Sequence, residues 1–209
     1  FFQNFLSIHF VEFPNVLYID YAGKFGRTKS EISSVPLYWS CRPTGVTQDY
    51  VPRHYAEATY VINMATMKIH GMAGATLCAK NHFGSLIRTP DAAGYYDMHG
   101  SVANSVPQSG RYRVFVDLTG YAHLGGKTVL CLVDALYAGS TGDSVPYRWS
   151  AAPFNGDWTS SLFASQDPVA IESVIFDVYQ LDDDLRQWPK MAGVEDHLVE
   201  AAQANNPPS

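Results

Sequence analysis

The sequence predicts an α/β fold: a single domain over 1–209, with a parallel or mixed sheet flanked by helices and long irregular loops. Three observations predict it. Short, continuously apolar runs occur along the same chain as a helical pattern, which is how strands covered on both faces read. The 209 residues suffice for one well-buried core and fall short of two full domains. Two stretches of small polar residues, 89–110 and 139–158, exceed ordinary turns and read as binding or lid loops.

Taken in order, the first expected strand is 16–19, ending at Asp20, and the second is 59–62, ending at Asn63. The third is 128–133, ending at Asp134, and the fourth is 161–164, followed by Ser165 and Asp167. Ligands of open α/β sheets sit beyond the carboxyl ends of the strands, so Asp20, Asn63, Asp134 and Asp167 are expected to converge on one rim. The clearest helix is 168–179, with Ile171, Ile175 and Val178 on one stripe, Asp167 as its N-cap and Pro168 at its first position. A second helix is expected at 195–204, after Gly193 and before Pro207 and Pro208. Segment 111–124 fits a helix through Val114, Leu118 and Tyr121, and a strand through Val114, Val116 and Leu118.

Composition narrows the function classes. Net charge is -6 with scattered basic residues, so no footprint for a phosphate backbone exists and nucleic acid is excluded as a partner. No apolar stretch approaches the roughly 20 residues of a membrane span. The charged fraction, 16%, lies below the roughly 25% of an average domain, while Tyr, Trp, Gly, Ser and Thr abound. With an apolar start FFQNFLSIHFVEF that lacks Met and a loop-like end NNPPS, this suits a processed, extracytoplasmic or secreted protein. Cys41, Cys78 and Cys131 have no C-x-x-C spacing, which excludes a zinc ribbon or a four-cysteine iron–sulfur site within the chain. Cys78 and Cys131 read as small buried hydrophobes, and one disulfide plus one free thiol also fits.

The chemistry concentrates in residues 67–84, MKIHGMAGATLCAKNHFG. Here Lys68 and His70 are expected to close the connection after Asn63, and Gly71 and Gly74 to turn the chain into a helix of about three turns reaching His82. A glycine-preceded helix N-terminus beside Lys68 suits a carboxylate or phosphate. On that helix Thr76 and Lys80 would share a face, as would Cys78 and His82, a pair able to ligate a soft metal. The leading reading is an enzyme or ligand-binding domain in which Lys68 and Lys80 hold a small anion. His70 acts as general acid/base or metal ligand, and Asp134 orients it or shares a divalent metal with it. Plainer roles stand beside these: a loop-fixing hydrogen bond for His70, the N-cap for Asp167, and a common turn for G-x-x-G. His9, His54, His99, His123 and His197 show no partner pattern.

A second reading is an extracellular structural or assembly subunit that forms homo-oligomers through its aromatic loops, and a third is a carbohydrate-binding module using Tyr147, Trp149 and Trp158. Phe154 belongs to the same aromatic loop.

The stretch VINMATMKIHGMAGATLCAKNHFG resembles the signature of the domain-of-unknown-function 362 family, built on K-x-H, a glycine-containing turn and K-N before a further glycine. KTVLCLVDALYAG and SSLFASQDPVAIESVIFDVY resemble the following blocks of that family, in the same order. The resemblance sets a family-like core at about 58–180, with 1–57 and 181–209 as extensions packed on it, and DHLVEAAQANNPPS is similar to the tail of a secreted branch. It implies Lys68, His70, Lys80, Asn81, Asp134 and Asp167 as motif positions, and adds Asn81 and Asp167 to Gly71 and Gly74 as ligand-binding candidates. Some members join an iron–sulfur module, for which this chain lacks cysteines. His82 stands where an apolar residue is usual.

Overall fold

A computed structural model describes residues 13–40, 48–71, 73–87, 98, 114–139, 146–182 and 195–203. Cys41, His9, His99, both chain ends, nearly all of the 89–110 loop and residues 140–145 lie outside them. In chain order the elements are β1 (Ile19–Asp20), β2 (Thr28–Lys29), β3 (Ile32–Tyr38), β4 (Gln48–Pro52), α1 (Arg53–Glu57), β5 (Val61–His70) and β6 (Gly74–Thr76). They continue with α2 (Cys78–Asn81), a 3₁₀ turn His82–Ser85, α3 (Val114–Gly120), a 3₁₀ turn Gly125–Lys127, β7 (Thr128–Gly139), β8 (Ser161–Ser165), α4 (Pro168–Leu181) and α5 (Asp196–Gln203).

The fold is α/β with a mixed central sheet in the order β6-β5-β7-β8. Strands β5 and β7 run parallel, whereas β6 and β8 are antiparallel to their neighbours. Along β5 the side chains of Asn63, Ala65, Met67 and Ile69 are buried, while Ile62, Met64 and Thr66 between them are exposed, the period of two of a half-covered strand. Met67, Ile69, Cys131 and Val133 pack against Ile171, Ile175, Phe176 and Tyr179 of α4. A second cluster joins Leu37, Trp39 and Val51 to Val114, Leu118 and Leu124, and there the Trp39 indole donates to Asp49 at 2.8 Å. Within the ambiguous 111–124 segment, Val114–Gly120 form a helix, with Val114, Phe115, Val116 and Leu118 buried.

Two joints hold β7 in place. A Cβ on Gly125 would strike the Thr119 carbonyl, so the chain can return from α3 into β7 only with glycine there. Lys127 Nζ donates to the carbonyls of Tyr55, Ala56 and Ala58 at 3.2, 2.7 and 2.7 Å, closing the C-terminal end of α1. Further along, Thr66 pairs with Asp134 but Lys68 pairs with Gly139, so β7 carries a bulge. Thr159 fills it, donating from Oγ1 to the Ala135 carbonyl and accepting from the Ala138 amide.

Several expectations need correction. Strand 16–19 is reduced to β1, which pairs with β2 in a separate two-stranded sheet, and Asp20 closes its own turn through Ala22 and Arg27. The second strand runs through to His70 instead of stopping near Asn63, and the third runs past Asp134 to Gly139. The expected three-turn helix from Gly74 is absent: Gly74 at φ +80° folds residues 74–76 back on β5, and only one α turn and one 3₁₀ turn follow. Ala73, Gly74, Ala75 and Leu77 are buried there, and only Thr76 among residues 73–79 is partly open to solvent. Among the described residues, no helix covers the face of the sheet away from α4. Ile62 is 57% exposed, Met64 70% and Leu162 72%, all on the side away from α4.

By contrast the fourth strand forms at Ser161–Ser165 as expected. Helix α4 starts at Pro168, with the Asp167 carboxylate accepting from Val169 and Ala170 amides at 2.8 and 3.0 Å.

Candidate functional site

The expected single rim does not form, because strand direction divides its members. His70 lies at the C-terminal end of β5, Asp134 in the middle of β7 opposite Thr66, and Asn63 near the start of β5. Since β8 is antiparallel, Asp167 follows Ser165, which pairs with Cys131, at the far end of the sheet from His70. His70 lies four residues beyond the Thr66–Asp134 pair, roughly 13 Å at about 3.3 Å per strand residue. Asp134 is exposed and accepts from the Leu136 amide at 2.9 Å. Among the described residues no group of three or more His, Cys, Asp or Glu is placed to hold a metal.

What the fold does bring together is Lys68, His70 and Thr76 on the β5–β6 ladder, with Lys80 on the α2 turn that follows. Lys68 faces Thr76 across the β5–β6 ladder, and His70 faces Gly74. Cross-strand partners project to the same side, so Lys68 and Thr76 are neighbours. The Thr76 hydroxyl is buried without a hydrogen-bond partner. His70 Nδ1 accepts from the Ala73 amide at 3.1 Å, which fixes the Gly71–Gly74 turn and, in the neutral ring, leaves the proton on Nε2. Gly71 is exposed at the tip of that turn. Lys80 sits on α2 with its ammonium 5.6 Å from the centre of the Phe83 ring. Burial lowers the pKa of Lys80, and the charge of Lys68 lowers it further.

Asn81 has a structural task. Its side-chain amide donates to Asn63 Oδ1 at 2.8 Å and to the Met64 carbonyl at 3.0 Å, fastening α2 along β5. Asn63 is 3% exposed, and its own amide donates to the Cys78 carbonyl at 2.8 Å and lies 2.9 Å from His82 Nε2. An Asn amide group can only donate, so His82 Nε2 accepts and the ring is neutral. Burial pushes its pKa down to about 4. The Cys78 and His82 side chains are therefore not a ligand pair; His82 is taken by Asn63, and Cys78 by Cys131.

Two residues behind Lys80 escaped the sequence reading. Glu172, 2% exposed, accepts from the Ala79 amide at 2.6 Å through Oε1, and its Oε2 lies 2.9 Å from His197 Nε2. Both line a small cavity with Lys80, Phe115 and Phe176, with room for about a single water. This carboxylate ties α2 to α4 and α5, and so positions Lys80. Its signal was present: Glu172 falls on the buried stripe of α4, one residue from Ile171 and four from Phe176. His197, from 25 residues away, had none.

The aromatic loop turns inward. Trp149 is fully buried, stacked between Tyr147 and Tyr179 with its ring centre 5.4 Å from that of Phe154. Trp158 packs edge-on against Tyr137 and carries the Arg148 guanidinium over its ring.

A family model described as "Domain of unknown function (DUF362)" matches residues 30–177, well over half of the chain. No curated protein and no solved structure matches it. The matched span contains the lysine–histidine turn of β5 and β6, the β7 block and the capped start of α4, and the chain belongs to the domain-of-unknown-function 362 family.

Proposed function

We propose that the chain binds a small anion, a carboxylate or phosphate, where β5 meets β6. The observation that carries this reading is the buried Thr76 hydroxyl, which has no hydrogen-bond partner and faces Lys68 across the β5–β6 ladder, with Lys80 following on α2. Burial lowers the pKa of Lys80, and the charge of Lys68 lowers it further. Like charges held together are relieved by an anion between them. The Thr76 hydroxyl and the Nε2–H of neutral His70 supply further donors on the same strands. This reading does not use a divalent metal shared by His70 and Asp134, which the sheet register sets four residues apart along neighbouring strands.

Titration calorimetry with inorganic phosphate and with a small dicarboxylate tests the reading. Saturable binding that weakens at higher salt is expected, and Lys68→Ala and Lys80→Ala should each reduce affinity tenfold or more, a loss of about 1.4 kcal/mol. Absence of saturable binding, or affinity unchanged in both variants, would discard it.

The exposed apolar sheet face favours a second reading, self-association with a second copy. Ile62, Met64 and Leu162 share that face with Lys68 and Asp134, so an apolar centre carries one base and one acid. Such a surface is self-complementary about a two-fold axis. With Trp149 buried, the contact surface moves from the aromatic loop to the sheet. An extracytoplasmic location accompanies this reading, supported by the low charged fraction of 16%. Sedimentation velocity should find a dimer that Leu162→Lys dissociates; a monomer at high concentration would sink the idea.

A further inference from the structure

Cys78 and Cys131 meet in the core, and the proposed anion site uses neither. Cys131 stands on β7 opposite Asn63 of β5, and the Asn63 side chain donates to the Cys78 carbonyl at 2.8 Å. Both cysteines are fully buried in the same apolar cluster, and their thiols hydrogen-bond to each other. One belongs to the single turn of α2 and the other to a central strand, so a bond between them would join elements far apart in sequence.

We propose that this pair is a modification site, at which a low-molecular-weight disulfide such as oxidised glutathione converts the two thiols into an internal disulfide linking α2 to β7. The electrostatics of the contact between the two thiols favour Cys131 as the first to act. The hydrogen bond from Cys78 lowers the pKa of Cys131, whereas the same contact, with burial, raises that of Cys78. Cys131 therefore loses its proton first and attacks one sulfur of the reagent, whose S–S bond breaks and releases a glutathione thiolate. Cys78 then gives up its proton and attacks the Cys131 sulfur of the mixed disulfide, releasing the second thiolate. The two protons end on the two glutathione molecules. Two protein S–H bonds and the reagent S–S bond break, one protein S–S bond and two glutathione S–H bonds form, and two electrons pass to the reagent.

Both sulfurs are out of reach of solvent, so exchange proceeds while the chain folds or when the short α2 turn lifts from β7. The reaction is accordingly slow in the folded protein and fast on refolding. The closed loop restricts the unfolded chain, so the oxidised form should resist denaturant better than the reduced one.

The test uses the whole chain and its Cys41→Ser variant, each held with oxidised glutathione, both folded and during refolding, then alkylated with iodoacetamide in denaturant. Mass spectrometry should find one alkylated cysteine, Cys41, in the parent chain and none in the variant, with a Cys78–Cys131 cross-linked peptide that dithiothreitol abolishes. The denaturation midpoint should fall on reduction, and Cys78→Ser should be insensitive to reductant. Alkylation of both Cys78 and Cys131 after either treatment would overturn the proposal. So would a bond from Cys41 to one of them, or glutathione retained on Cys131.

Discussion

The two faces of the central sheet are made from the same strands and behave as different materials. Toward α4, alternate residues of β5 and β7 build a closed interior in which a set of buried polar side chains bond one another: Asn63 with Asn81 and His82, Glu172 with Ala79 and His197. On the other side Ile62, Met64 and Leu162 stand in solvent beside Asp134 and Lys68. Hydrophobic residues alone do not distinguish these faces. What distinguishes them is that one holds a network of buried polar side chains bonded to one another, whereas Asp134 on the other is exposed where water can serve it.

Substitutions can sharpen that contrast. The largest effect is expected from Glu172→Ala, which leaves His197 and the Ala79 amide without their acceptor and should cost about 3–5 kcal/mol in chemical denaturation. Glu172→Gln keeps the shape and should cost distinctly less; equal loss in both would mean packing, not the polar tie, matters there. On β5, Ile69→Ala should cost about 2–5 kcal/mol. Met64→Ala, five residues earlier on the opposite face, should stay within about 0.5 kcal/mol. Similar losses at Ile69 and Met64 would erase the distinction between the faces.

Acid titration gives a subtler separation. His82 has a folded pKa of about 4 against an ordinary 6.5, so the unfolded chain takes up its proton first as pH falls. Its contribution is complete above pH 6.5 and is lost on the way to pH 4, about 3 kcal/mol in all. Asp117, pushed up to about 6 by burial despite hydrogen bonds from Ser40, works in the opposite direction. Its contribution is greatest below its unfolded value and disappears as pH rises through 6. The parent protein should therefore show a muted pH dependence between about 4 and 6. His82→Gln should become relatively more stable on acidification and Asp117→Asn relatively less, measured as unfolding free energy across that range. Parallel curves for all three proteins would refute the assignment of both groups.

Helix α4, its Asp167 cap and strand β8 were legible because each is declared by neighbouring residues: a carboxylate before a proline, an apolar stripe, a short run between polar ends. The family blocks were legible for the same reason. The extent of β5 was not. Ile62, Met64, Met67 and Ile69 are apolar on both faces, so the period of two is hidden until the exposed half is known. The lysines and His70 stand out in the sequence by their density, but the strand ends expected beside them lie elsewhere in the sheet. Which strand ends meet depends on strand direction, and β8 running antiparallel is settled by long-range pairing that no local pattern records. Glu172 and His197 illustrate the same limit, since the acid was visible on its stripe while its partner lay in a helix of unrelated sequence.

Lys127 carries a consequence for chemical reactivity. Its amine is enclosed by three carbonyls at the seam between α1 and β7, and an electrophile can reach the nitrogen lone pair only after those bonds are given up. In a reductive methylation time course Lys127 should lag behind the chain's other lysines, and its labelling rate should climb with denaturant well below the global midpoint if that seam parts early. One side chain thus serves as a clock for the opening of a single joint.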